Sequence, residues 1–156
     1  MLYKVDYDSP IGIIEITSTE KHITSILFPE REHVEHKQVE QMPEIINTCY
    51  RELDEYFNGK RKDFTVAYHF DGTEFQTSVW QALTTVPFGK TASYKEIAQQ
   101  IGNEKAVRAV GMTNSKNLIS IIVPCHRVIG ASGKLTGYAG GIWRKEWLLE
   151  HEKKDF

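Results

Sequence analysis

At 156 residues with 40 % hydrophobic side chains, the chain can build one globular unit or two small subdomains around real cores. Its two cysteines, 76 positions apart, exclude a disulfide framework and a CxxC metal motif, and neither a basic, apolar leader nor a run of membrane-spanning length is visible, so a cytoplasmic protein with reduced thiols and no membrane partner is expected. The net charge of −2 conceals an asymmetry: residues 1–72 hold 8 Lys and Arg against 14 Asp and Glu, whereas residues 73–156 hold 11 against 7.

The first third reads as β structure followed by a helix. Leu2–Asp6, Ile11–Thr17 and Ile23–Phe28 are rich in Ile and Thr and separated by turn residues, as in an antiparallel meander. Residues 29–43 are charged and unpatterned, and read as a surface loop. His33 and His36 lie there without a nearby third ligand and read as solvated. Met42 to Phe57 places Ile45, Ile46, Cys49, Leu53, Tyr56 and Phe57 on one helical face before Asn58-Gly59, which makes Cys49 a core residue. Phe64–Phe70 reads as a further strand, and Asp71-Gly72 as a domain boundary.

From Thr73 onward the pattern turns helical. Thr73-x-x-Gln76 and Ser93-x-x-Glu96 are capping boxes, the first opening a helix that runs to Val86 and the second a short helix with Tyr94, Ile97, Ala98 and Ile101 on its inner face. After Gly102-Asn103 a third helix, with Ala106, Val107, Ala109 and Val110, runs up to Gly111, and the pair reads as a helix-turn-helix from which Arg108 projects. Residues 88–145 carry nine cations, Lys90, Lys95, Lys105, Arg108, Lys116, Arg127, Lys134, Arg144 and Lys145, against Glu96 and Glu104, an electrostatic footprint for a polyanion. The expected fold class is therefore α+β, with an N-terminal antiparallel sheet and helix over residues 1–72 and a mostly helical C-terminal domain over residues 73–156.

The stretch Ile119-Ser-Ile-Ile-Val-Pro-Cys-His-Arg-Val-Ile129 reads as a buried strand that delivers a thiol and an imidazole to a constrained turn. Cys-His neighbours are common, and most unpaired cysteines are small core hydrophobes. Here the pair is followed by a loop of five glycines and one aromatic, Gly130–Gly141 with Tyr138, suited to a pocket wall. A last helix, Ile142–Glu152, places Lys145 and Glu152 near its two ends.

These residues carry a resemblance to a known family. FQTSVWQAL, PFGKTASYKEIA, KAVRAVG, PCHRVIG, the Gly-Tyr-x-Gly-Gly loop and KEWLLEHE, between Phe75 and Glu152, resemble the O6-alkylguanine-DNA alkyltransferases. The first 72 residues are similar only in strand and helix order, which in the family is ribonuclease H-like. The resemblance implies a DNA repair protein that flips O6-alkylguanine, and in some members O4-alkylthymine, out of duplex DNA and moves the alkyl group irreversibly to its own cysteine. It implies Cys125 as acceptor, His126 as general base through a water, Glu152 orienting that imidazole, and Asn117 fixing the active-site turn. Tyr94 would crowd the phosphate and protonate the leaving guanine, and Arg108 would fill the gap in the stack.

The resemblance further implies that Lys105, Ala106 and Gly111 line the DNA-facing helix, that Val128, Tyr138 and Ala139 form the pocket, and that Lys145 sits nearby. No cofactor and no metal are implied, since the zinc set of some members has no counterpart here. The expected partner is double-stranded DNA carrying O6-alkylguanine, met by a monomer. The chain departs from the family in having Leu118 where proline is usual and Thr113 where alanine is common. Two rival readings are a lesion-binding protein of the alkyltransferase-like kind, which lacks the cysteine, and a Cys-His-Glu hydrolase, which gives no reason for a helix-turn-helix.

Overall fold

The computed structural model describes residues 1–154, and the chain divides into two compact units that meet at Phe70 and Asp71. The fold is mixed α+β. Among the described residues no helix is long and apolar enough to cross a membrane.

In the first unit, strands β1 (Tyr3–Ser9), β2 (Gly12–Ser18) and β3 (Ile23–Leu27) form an antiparallel sheet in that order, with Val5 opposite Ile16 and Tyr7 opposite Ile14. The β1–β2 turn is closed by Ser9, whose Oγ donates to the Gly12 carbonyl at 2.6 Å and accepts from Ile11 N–H at 3.1 Å. Gly12 sits at φ 107°, a conformation that favours glycine. Helix α1 (Glu44–Phe57) packs against β1 and β2 and buries Ile46, Cys49, Leu53, Tyr56 and Phe57, the stripe expected from its 3.6-residue period.

The expected strand over residues 64–70 reduces to one parallel bridge between Tyr68 and Ile23. The reason is a competing partner. Buried Glu52 on α1 accepts from Thr65 N–H at 2.9 Å and Thr65 Oγ1 at 2.7 Å, so the start of the segment is tied to a helix side chain, not to a strand ladder. The charged loop 29–43 is anchored in a similar way. Buried Asp6 accepts from Arg31 at 2.6 and 2.7 Å and from the backbone N–H of Glu35 and His36 at 2.8 and 3.1 Å. Asp6, Glu15 and His36 bring ligand-type atoms within 4.8 Å of one another, but the Arg31 guanidinium lies on both carboxylates, which makes the cluster an ion-pair network.

In the second unit, both capping boxes form. Thr73 caps α2 (Glu74–Leu83), and Ser93, in the short strand β4 (Ala92–Ser93), caps α3 (Tyr94–Gln100). After a turn with Gly102 at φ 78°, a single 3₁₀ turn (Glu104–Ala106) leads into α4 (Val107–Ser115). The helix expected to stop before Gly111 runs through it. An interior glycine costs a helix only about 1 kcal/mol, and the Tyr94 ring packs over this one, 3.8 Å from where a Cβ would stand. Trp80 on α2 holds the far end of α4 by donating to the Thr113 carbonyl at 3.0 Å.

The largest departure is at Ile119–Val123, which is a buried turn and not a strand. Ile122 N–H donates to Ser120 and Val123 N–H to Ile119, at 2.8 and 3.1 Å, and Ile121 lies at φ 72°. Asn117 supplies the hydrogen bonds that a neighbouring strand would have supplied. A 3₁₀ turn (Cys125–Arg127) then leads into β5 (Val128–Ile129), which pairs in parallel with β4, and α5 (Ile142–Lys153) closes the unit.

Candidate active site

Cys125 is the buried start of the 3₁₀ turn, with 2 % of its surface exposed. Three groups set its place. Asn117 donates through Nδ2 to the carbonyls of Ile119 and Val123 at 3.2 and 2.9 Å, while its Oδ1 accepts from Ile119 N–H at 3.0 Å, so one amide holds the whole preceding turn. Leu118, where the family usually has proline, is exposed, and the Asn117 bonds form without that rigid ring. Asn114 on α4 donates to the Cys125 carbonyl at 3.3 Å. Burial pushes the thiol up to about 11, against the opposing pulls of a hydrogen bond from Asn117 and the charge of Lys145. Such a thiol rests protonated at neutral pH. A base is therefore needed at the moment of attack.

His126 is fully buried beside it, and its Nε2 lies 2.6 Å from Glu152 Oε2. With Nε2–H donated to the carboxylate, Nδ1 is the nitrogen left to accept a proton. It is buried and without a hydrogen-bond partner among the described residues. Burial lowers the basicity of His126; Glu152 opposes that effect, and Arg127 and Lys145 add to it. Burial alone would raise Glu152, but the hydrogen bonds and charges of His126 and Arg127 hold its carboxyl far below the usual range. Arg127 is the residue that sequence reasoning missed. Its Nε and Nη2 donate to the two Glu152 oxygens at 2.7 and 3.1 Å, and Nη1 donates to the Val86 carbonyl at 2.8 Å. Its position directly after the Cys-His pair was the available signal, hidden by the reading of nearby cations as a basic surface.

That surface is smaller than the count suggested, because Arg127, Arg144 and Lys145 are buried. Lys90, Lys95, Lys105, Arg108, Lys116 and Lys134 are exposed, as are Glu96 and Glu104, so a net basic surface remains. Arg108 and Lys105 are exposed on the segment 104–115, with Ala106 and Gly111 half-buried.

Tyr94 stands beside Thr136, Gly111 and Lys145. Its hydroxyl donates to the Thr136 carbonyl at 3.0 Å, its ring packs over Gly111, and Lys145 Nζ stands 5.9 Å from the ring centroid. Lys145 Nζ donates to the carbonyls of Thr136 and Val128 at 2.7 and 2.5 Å, and burial brings it down to about 8. Tyr138 is buried and its phenol is pushed up by burial and by Cys125, whereas Ala139 beside it is exposed. The result is a buried thiol backed by a base and walled by a glycine loop, on a unit with an exposed cationic helix. Such an arrangement can serve a thiol that accepts a transferred group.

The family follows from comparison. Residues 1–69 match the 6-O-methylguanine DNA methyltransferase ribonuclease-like domain, and residues 74–154 match the DNA binding domain of the same protein. The methylated-DNA–protein-cysteine methyltransferase of Methanosarcina acetivorans is 47 % identical over 97 % of this chain and 98 % of its own. That of Mycobacterium leprae is 47 % identical over 98 % and 93 %. Among solved structures, the Mycobacterium tuberculosis O6-methylguanine methyltransferase superposes with a TM-score of 0.87 at 45 % identity, covering 98 % of this chain and 93 % of that one. The Mycobacterium tuberculosis protein in complex with DNA gives 0.86 at 47 % identity, covering 97 % and 92 %. The chain belongs to the 6-O-methylguanine DNA methyltransferase family.

Proposed function

We propose that this protein repairs DNA by taking the alkyl group of O6-alkylguanine onto Cys125, once per molecule. The observation that carries the reading is the buried Cys125 beside the His126–Glu152 pair, which provides a nucleophile and a proton acceptor within one turn of chain. As the sulfur attacks, the S–C bond forms and the C–O6 bond breaks. The thiol proton passes through a water to His126, and guanine leaves with the bonding electron pair and takes a proton, for which Tyr94 is the donor. The product is a thioether, stable to water, so the protein is consumed.

Residues 73–156 would bind DNA and perform the transfer, with residues 1–72 as a structural domain. Because a stacked base offers no path to a buried thiol, the nucleotide would leave the duplex, with Arg108 in its place and Lys105, Ala106 and Gly111 along the groove. Val128, Tyr138, Ala139 and Lys145 would enclose the base. The DNA-bound relative supports DNA as the partner, and a cytoplasmic monomer acting on the duplex is the simplest form. Incubation with an O6-methylguanine duplex followed by intact mass measurement tests this. One added methyl group on Cys125, absent in Cys125→Ser, is expected. Unmodified protein that still binds the duplex would point to lesion binding without repair.

A further inference from the structure

The Glu152 carboxylate is not reserved for the imidazole. It accepts from His126 Nε2 on Oε2 at 2.6 Å, from Arg127 Nε on Oε1 at 2.7 Å and from Arg127 Nη2 on Oε2 at 3.1 Å, while Gly89 N–H approaches Oε1 at 3.4 Å. Arg127 is itself locked. Its remaining amine donates to the Val86 carbonyl, its guanidinium carbon lies 5.7 Å from the centre of the Phe88 ring, and only 8 % of its side chain is exposed. A bidentate guanidinium on a buried carboxylate makes a pair of no net charge.

We propose that Arg127 is a positioning residue of the alkyl-transfer site, which neutralises Glu152 so that His126 waits as an uncharged base and not as half of a preformed thiolate–imidazolium pair. This rests on the reading of Cys125 as the alkyl acceptor. The charged and titratable groups facing the imidazole support it. From α5 come Glu152 and Lys145 and from its own turn Arg127, while Tyr138 of the glycine loop interacts with Cys125 and Glu152. Two cations thus oppose one carboxylate at a buried imidazole, where an imidazolium gains little. A lone carboxylate would draw a proton onto His126, and a protonated imidazole could not take the one from sulfur. With Arg127 in place, Glu152 orients the ring through Nε2 and leaves Nδ1 open for the thiol proton as the S–C bond forms.

The test is the pH dependence of single-turnover methyl transfer from a saturating O6-methylguanine duplex, followed by intact mass. Arg127→Gln keeps a hydrogen-bonding side chain but removes the charge, and its acid limb should move up by about one pH unit or more. Arg127→Lys keeps the charge and should leave the limb near that of the wild type, even where the rate falls. A uniform drop in R127Q with an unmoved limb would overturn the proposal and reduce Arg127 to a structural role. Should R127Q fail to fold, the His126 ring nitrogens of the unmodified wild-type protein decide by NMR: a neutral ring protonated on Nε2 at pH 6.5 supports the proposal, and an imidazolium there overturns it. Wild-type protein that takes up no methyl group would instead refute the alkyl-acceptor reading.

Discussion

The side-chain amide of Asn114, on the helix whose other face exposes Arg108, donates to the backbone carbonyl of Cys125 at 3.3 Å. One side chain thus connects the cationic helix to the turn that presents the thiol. Asn114→Ala should leave that buried carbonyl with the Val128 N–H as its donor and lower stability by about 0.5–1.5 kcal/mol, read from urea unfolding. It should also slow alkyl transfer to both an O6-methylguanine duplex and free O6-benzylguanine, because the loosened group is the nucleophile's own backbone. A variant slowed on duplex alone would place the effect in DNA binding.

Arg108 separates the two substrates in the opposite sense. Its side chain is exposed and touches no part of the buried His126–Glu152–Arg127 network. Arg108→Ala should cut transfer from duplex DNA at least tenfold while leaving the rate with free O6-benzylguanine within about twofold of wild type. Equal losses on both substrates would contradict a role in holding the base out of the stack.

The Asp6 clamp in the first unit gives a pH signature. Burial would raise this carboxyl, but the hydrogen bonds from Arg31, Glu35 and His36 outweigh it and hold the folded value below the ordinary 3.8. The resulting stabilisation is complete above that value and is lost as the pH falls through the lower folded one. Asp6→Asn should therefore destabilise the protein by about 1–3 kcal/mol at pH 7, and the gap from wild type should narrow near pH 3. Urea titrations at the two pH values check this.

Gly111 offers a test of what the helix surface is for. A Cβ there would stand 3.8 Å from the Tyr94 ring, an ordinary contact, and the backbone is helical. Gly111→Ala should raise stability by about 0.5–1 kcal/mol. If close approach to DNA is the reason for glycine, duplex affinity should fall even as thermal stability rises, and a binding titration at fixed salt will show it.

What could be read from the sequence was chemistry that acts locally. The capping boxes at Thr73 and Ser93 need only four consecutive residues, and the α1 stripe needs only its own period, so all three appear as expected. Cys125, His126 and Glu152 were named through resemblance and lie together. The residues at 119–123 were misread because a β-branched apolar run looks the same in a buried strand and in a buried turn. What distinguishes them is Asn117, whose bonds depend on the folded turn. Arg127 was missed for a related reason: its charge is neutralised by a residue 25 positions away. Burial by distant partners is also why three of nine cations do not belong to the surface.

Ile121 remains the most costly backbone in the second unit. A β-branched side chain at φ 72° is disfavoured by about 1–2 kcal/mol, and the local bond from Ile122 N–H to the Ser120 carbonyl at 2.8 Å closes a strained three-residue turn around it. Asn117 and the surrounding core must be in place to hold it. The turn therefore depends on contacts that only the folded unit supplies. Until they form, Cys125 is an ordinary thiol on an unfinished chain, with no base at hand and no pocket around it. For a protein that can react only once, alkyl transfer thereby becomes a measure of completed folding.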